Sequence, residues 1–301
     1  YLGKMTTYLI FRTDRIGDFL LTVILINSIK RNDPNSYITV VSSTKNYDFI
    51  KSFKFVNEVI MLKNGLIGKI KLIHRLRSLR YDTVIVHDAK NRSSIISKFL
   101  KYKLKIDLFK ESNISYIGNI KKILNQLDFT FLISDLNTLD NRNYSSSLSI
   151  DDNFILFHFD EKWIYKDYIS EYTNIEPTKV EFVRFINLLL SASNKTIVIT
   201  TGAKCPKMLD DLIKHNFGFR VKILKELNFL DLENVVSKCK LLISCHGSIS
   251  HIAAAHNIKQ IDIIEKKKLD FYHKWTEHFR SYFPIYRIKF DELSNKIIGM
   301  T

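Results

Sequence analysis

The residues best placed to do chemistry fall in one short stretch, Arg12-Thr13-Asp14-Arg15-Ile16-Gly17-Asp18. Two arginines three positions apart crowd a carboxylate that opens a helix. That combination reads as an anion-binding mouth with a candidate base inside it. Gly17 lets the backbone turn tightly and bares amide N–H groups at the helix start. The plainer reading keeps Asp18 as a helix cap, because the positive end of the helix dipole favours a carboxylate, and leaves Arg12 and Arg15 as a basic rim.

A second constellation comes late, at Leu241-Leu242-Ile243-Ser244-Cys245-His246-Gly247-Ser248-Ile249-Ser250-His251. An apolar strand runs into a turn and a helix follows. The amides of Gly247, Ser248 and Ile249 should gather at the helix N-terminus, an anion site whatever the side chains are. His246 would add positive charge there. His251 sits on the first turns of the helix, where packing against the sheet is the plainer role. Thr200-Thr201-Gly202 ends another strand-like run, and Thr200 and Gly202 are candidates to approach a ligand. Lys162, in Phe157-His158-Phe159-Asp160-Glu161-Lys162-Trp163, follows a third such run. Cys239, Cys245, His246 and His251 match no standard zinc spacing, so no metal site is expected.

The stretch from Arg12 to Lys30, followed by Asp33-Pro34-Asn35-Ser36-Tyr37-Ile38-Thr39-Val40-Val41, resembles the opening of the ADP-heptose:lipopolysaccharide heptosyltransferases, glycosyltransferase family 9. Leu241–Ala255 resembles that family's strand–loop–helix for the donor diphosphate. Phe157–Trp163 resembles its segment in which a lysine before a tryptophan contacts the donor phosphate. The resemblance implies an α/β chain with the GT-B fold: two Rossmann-like domains whose parallel sheets face an interdomain cleft. It implies an inverting glycosyltransferase in which Asp18 deprotonates the acceptor hydroxyl. Arg12 and Arg15 would hold acceptor phosphates or carboxylates. Lys162, His246, Gly247, Ser248 and His251 would line the donor site, and Thr200 and Gly202, read from their strand-end turn alone, are placed with them. The donor would be a nucleotide-diphosphate sugar, ADP-heptose first among them, used as substrate with no separate cofactor. The acceptor would be an anionic lipopolysaccharide-type glycolipid at the cytoplasmic face of the membrane.

One departure stands out. Where the family has an acid before Ser/Thr-Gly, this chain has His246-Gly247-Ser248. That leaves open a transferase using a different nucleotide sugar, and beyond it a non-catalytic basic binding protein on the same fold. No Asp-x-Asp triplet occurs. Metal-dependent GT-A enzymes use such a triplet, so its absence points to metal-independent chemistry, with cationic side chains and helix dipoles in the metal's place.

The net charge of +15 calls for an anionic partner: nucleic acid, an acidic membrane surface or a phosphorylated substrate. The basic residues are spread along the chain, and no zinc-finger or RNA-recognition pattern appears, which argues against nucleic acid. No apolar run reaches the roughly 18 residues a membrane span needs. No secretory signal is visible at the start, which opens on Tyr1 and so reads as trimmed or extended. Three scattered cysteines make no disulfide framework. Together these give a cytoplasmic expectation, with peripheral membrane contact through basic surface.

Strand-like and helix-like runs alternate along the chain and must hold these sites. Strands are expected at Tyr8–Arg12, Tyr37–Val41, Val59–Leu62 and Thr83–His87, and helices at Asp18–Lys30, Asn46–Lys51, Gly68–Leu79, Arg92–Lys101 and Ile117–Leu132. This rhythm argues for a parallel sheet covered on both faces. Ser-rich, aperiodic residues 141–149 are expected to link domains spanning 1–145 and 150–301. A second alternation then runs from Phe154 to Ile264, and the last helical segment is expected to pack back on the first domain. In Gly65–Arg80, Leu66, Ile67, Ile70, Ile73 and Leu76 follow helical spacing among lysines and arginines. Such a helix lies on an anionic membrane, or it covers the sheet and leaves a solvated basic face.

Overall fold

The computed structural model describes residues 5–109, 114–143, 146, 148–165, 170–212 and 217–301. The chain divides into two compact units, Tyr1–Tyr144 and Ser145–Thr301. The division falls inside the Ser-rich stretch, of which Tyr144, Ser145 and Ser147 lie outside the described residues. The rest of it is pinned. The Asn141 carbonyl accepts from Lys54 N–H, Asn143 N–H donates to the Ser52 carbonyl, and the Arg142 guanidinium lies over the rings of Phe49 and Phe53. Past the division, Ser146 donates to Asp231 and the Leu148 carbonyl accepts from Asn234.

The first unit runs β1 (Thr7–Phe11), α1 (Ile16–Asn32), β2 (Tyr37–Ser42), α2 (Tyr47–Lys51), β3 (Glu58–Met61), α3 (Gly65–Arg77), β4 (Arg80–Val86), α4 (Asn91–Ser97), β5 (Lys101–Asp107) and α5 (Tyr116–Asn125). Its strands form one sheet in the order β3-β2-β1-β4-β5, with every ladder parallel. Continuous apolar runs such as Tyr8-Leu9-Ile10-Phe11 suit strands buried on both faces. α1 is apolar nearly all round and correspondingly buried. On one face Leu9, Phe11, Val41, Leu72, Leu76 and Val84 build a core. Phe19, Phe49 and Phe53 meet edge to face, with centroids 5.2–6.1 Å apart.

The second unit runs β6 (Phe154–His158), α6 (Lys179–Ala192), β7 (Thr196–Thr200), α7 (Lys207–Leu212), β8 (Val221–Leu224), α8 (Phe229–Lys238), β9 (Leu241–Cys245), α9 (Ser248–Ala255), β10 (Gln260–Ile264), α10 (Leu269–Thr276), β11 (Tyr282–Tyr286) and α11 (Phe290–Ile298). The sheet order is β11-β10-β9-β6-β7-β8, again all parallel. Local signals place its helices. Thr178 and Glu181 exchange a capping box at the start of α6, and Asn228 caps α8 by accepting from Asp231 N–H. The core is aromatic, with Phe157, Phe159, Trp163, Phe182 and Phe185 in mutual contact. Phe290, Leu293 and Ile297 of α11 belong to that same core. The apolar stripe of this helix thus closes the core of the second unit.

In each unit the chain leaves the central strand toward one edge and later returns to its other side. The two neighbours flanking that reversal are β1 and β4 in one sheet, β6 and β9 in the other. Parallel sheets of this kind bind ligands beyond the strand C-termini at that point.

Candidate functional site

The reversal point of the first unit is built by the loop after β1 and the loop after β4. Arg12 follows the last residue of β1 but turns inward. Its side chain is almost fully buried. Nε donates to Thr22 Oγ1 at 2.6 Å, Nη1 to Asp14 at 3.2 Å, and Nη2 to His87 Nδ1 at 2.8 Å. A guanidinium only donates, so His87 Nδ1 accepts and its ring proton sits on Nε2. Burial and the adjacent Arg12 hold the His87 imidazole well below its usual range, so it is neutral. This corrects the acceptor-binding expectation for Arg12. Three of its donors brace the loop, and a side chain only 2% exposed offers almost no surface to an acceptor anion. Arg15, by contrast, is exposed at the mouth of α1.

Asp88 gathers the rest of the loop. It accepts from Thr13 N–H and Oγ1, Ser93 Oγ and Lys90 N–H, while Arg92 donates to the Thr13 carbonyl at 2.9 Å. Asp18 stands at the third helical position of α1 and is half-buried. One oxygen accepts from Arg15 N–H at 3.0 Å. Burial pushes the neighbouring Asp14 carboxyl up to about 6; Arg12 opposes that rise, and the charges of Asp18 and Asp88 add to it. The loop therefore concentrates carboxylates, and an ionised carboxylate can take a proton from a hydroxyl placed within hydrogen-bond reach.

In the second unit the two loops of the reversal point meet through Lys162 and Gly247. Trp163 sets the first. It is fully buried among Phe157, Phe159 and Phe290, and its Nε1 donates to the His158 carbonyl at 2.9 Å. Asp160 caps the short turn by accepting from Lys162 N–H and pairs with the Lys162 ammonium. Burial alone would raise Asp160, but Lys162 and His158 outweigh it and hold the carboxyl well below the usual range. Burial would lower Lys162, and Asp160 instead drives it above its usual value. Both groups are charged at neutral pH. The ammonium lies against Gly247: a Cβ there would come within 2.6 Å of Nζ. Gly247 is extended, with φ 178°, so its backbone does not require glycine, but a Cβ there would displace the Lys162 ammonium.

Ser248 and Ile249 begin α9, and their N–H groups have no carbonyl of the preceding turn to bond. The Gly247 amide, expected among them, donates instead to Ser250 Oγ. His246 donates through Nδ1 to Asp262 at 2.6 Å. Asp262, on β10 and fully buried, also accepts from Ser250 Oγ and Tyr282 OH. Thus the chain lacks an acid in the turn itself but carries one on the adjacent strand, and His246 is clamped to it. His251 is corrected. It is enclosed by Phe279 and Trp275 at 5.2 and 5.9 Å, and burial, then His246 and His278, hold it neutral. It packs the helix rather than facing a diphosphate. Thr200 is likewise fully buried, its hydroxyl engaged with His158 Nδ1 at 2.9 Å. Gly202 is close to Glu161, where a Cβ would meet Oε2 at 2.5 Å.

Sequence reasoning missed Asp262, His87, Asp88, Arg92 and Arg287. Arg287, just past β11, donates to the carbonyls of Lys162 at 2.9 Å and Thr173 at 3.0 Å and thereby fixes the Lys162 loop. No local pattern marks it. Asp262 did carry a signal, since a carboxylate inside Gln260-Ile261-Asp262-Ile263-Ile264 must find partners once buried.

Two Rossmann-type units in series, each a parallel sheet with helices, match the fold of GT-B glycosyltransferase structures. Residues 69–281 match the family model described as glycosyltransferase family 9 (heptosyltransferase). The chain belongs to that family and is a glycosyltransferase. Solved structures share the fold. One is the glycosyl transferase family 9 protein of Veillonella parvula, 14% identical, TM-score 0.72, covering 98% of this chain and 91% of that one. Escherichia coli heptosyltransferase WaaC with ADP is 13% identical, TM-score 0.68, covering 98% and 100%. E. coli ADP-heptose lps heptosyltransferase II is 17% identical, TM-score 0.68, covering 98% of each chain. No curated protein matches the sequence.

Proposed function

We propose that this glycosyltransferase moves a sugar, heptose from ADP-heptose first among the candidates, to a hydroxyl of an anionic lipopolysaccharide-type glycolipid, with inversion at the anomeric carbon and at the cytoplasmic face of the membrane. The observation that carries the reading is the Lys162 ammonium packed on Gly247 at the start of α9. It supports a diphosphate site in which a fixed cation and helix amides stabilise the leaving group, the work a divalent ion does elsewhere. Asp18 accepts the proton of the acceptor hydroxyl as its oxygen bonds to the anomeric carbon. The bond from that carbon to the diphosphate breaks, and the charge passes to the phosphate oxygens. Arg15, exposed beside Asp18, is the acceptor-anion contact. Two solved structures of one relative, E. coli heptosyltransferase WaaC, carry ADP and ADP-2-deoxy-2-fluoro heptose, which favours an adenine nucleotide here.

A second reading has a different nucleotide sugar in the same site. The His246–Asp262 clamp favours it, because an imidazole in place of a carboxylate presents a different partner to the sugar. A thermal-shift panel of nucleotide sugars decides. A ligand at a hundred times its Kd stabilises by about 2.7 kcal/mol, and ADP-heptose is expected to give the largest shift. Larger shifts with uridine or thymidine sugars select the second reading, and no shift with any nucleoside diphosphate ends both.

A further inference from the structure

α3 carries three of its apolar residues on the wrong side for a helix that only covers a sheet. Leu72 and Leu76 enter the core of the first unit, and Ile73 packs against it. Leu66, Ile67 and Ile70 do not follow. They are 71%, 71% and 56% exposed. At 3.6 residues per turn these three share one face, turned away from Leu72 and Leu76. The same face continues into exposed Lys71 and His74, and exposed Lys63 precedes the helix.

The charge around this face has one sign. From residue 63 to residue 80 there are six lysines and arginines and no aspartate or glutamate. Arg75 is paired with Glu58 from β3 at 2.6 Å. Of the other five, Lys63, Lys69 and Lys71 flank the apolar first turns, and Arg77 and Arg80 lie toward the far end of the helix. An exposed aliphatic triad flanked by cations is complementary to a surface that is anionic outside and apolar beneath. A second copy of the chain is a poor fit, since a two-fold contact would set the cations against themselves.

Topology gives the face a use. All strands of the sheet run the same way, and α3 begins just past the C-terminal end of β3. Its first turns therefore stand at the same edge of the sheet as the loops after β1 and β4, where Asp18 and Asp88 lie. We propose that Leu66, Ile67 and Ile70, flanked by Lys63, Lys69 and Lys71, dock the first unit on an anionic lipid bilayer. The aliphatic side chains enter below the headgroups, and the lysines stay at headgroup level. Docking itself stands without any transfer reaction; its role in bringing a lipid-borne acceptor to the Asp18 loop rests on the function proposed above.

The test is flotation of the full chain with two vesicle preparations, one of phosphatidylglycerol and phosphatidylethanolamine, the other of phosphatidylcholine alone. The chain is expected to float with the first and not with the second. The triple variant Leu66→Ser, Ile67→Ser, Ile70→Ser and the double variant Lys63→Glu, Lys71→Glu should each weaken partitioning on the order of tenfold or more. All these positions are exposed, so the melting temperature and ADP binding should stay unchanged. A wild-type chain that stays soluble with both vesicles overturns the proposal. So does a serine variant that floats as well as wild type. A dimer in sedimentation that the serine variant abolishes assigns the face to a second copy instead. RNA binding lost in the charge variant but kept in the serine variant assigns it to nucleic acid. Failed flotation with intact ADP binding retires docking alone, whereas absent ADP binding strikes the donor site and leaves docking standing.

Discussion

Asp18 is held at the start of α1 by the Arg15 amide, a bond that an asparagine side chain also accepts. The base and the cap can therefore be separated. Asp18→Asn is expected to keep the folding stability and to lose roughly 10²–10⁴ in turnover, the usual contribution of a positioned acid or base. Asp18→Ala should match that loss and add about 1 kcal/mol of destabilisation as the cap disappears. Turnover and urea unfolding of both variants make the comparison, and near-normal turnover in Asp18→Asn removes the base from the mechanism. Position within the loop was readable from residue types, but direction was not. Arg12 and Arg15 look alike as sequence, yet one points into the sheet toward His87 and the other out. The partner that turns Arg12 inward lies 75 residues away, beyond any local pattern.

At the scale of the element, the strand–turn of β6 and the strand–turn–helix of β9 and α9 are rigid because each is pinned by burial: Trp163 on one side, the His246–Asp262–Ser250 cluster on the other. Between them sits the Asp160–Lys162 pair, with side chains 3% and 13% exposed. Lys162→Met should destabilise the chain by about 3–5 kcal/mol at pH 7, because it strands a buried carboxylate. Asp160→Asn combined with Lys162→Met should recover most of that. Asp160 is held below its unfolded value, so the pair's stabilisation is present above about pH 4 and fades as pH falls below it. Urea titrations at neutral and acid pH read both effects, and an unchanged midpoint in Lys162→Met contradicts the pairing. The inner strands of the first unit, and the strand–turn–helix of β9 and α9, were legible because apolar runs and turn residues are local. β5 and β11 were not. Both lie at sheet edges, where a strand needs no continuous apolar run. β5 carries three lysines and β11 carries Pro284, residues that blunt an edge against further pairing and hide it from periodicity.

At the scale of the molecule, donor chemistry and base chemistry are assigned to different units with separate cores. Hydrogen exchange with saturating ADP should then protect the amides of residues 161–163 and 247–249 and leave those of residues 12–18 unchanged. Protection confined to the first unit would move the nucleotide site. Arg287 ties down the Lys162 loop, and α11 closes the core around Trp163 and Phe185. On a ribosome, synthesis runs from the Asp18 loop toward these residues. A nascent chain thus completes the first unit's sheet long before the residues that fix the Lys162 loop have been made. A polypeptide cut between the two, by a nonsense codon or a stalled ribosome, is expected to keep the first core, to lack the helix that closes the second, and to lose with it the nucleotide binding proposed for that unit.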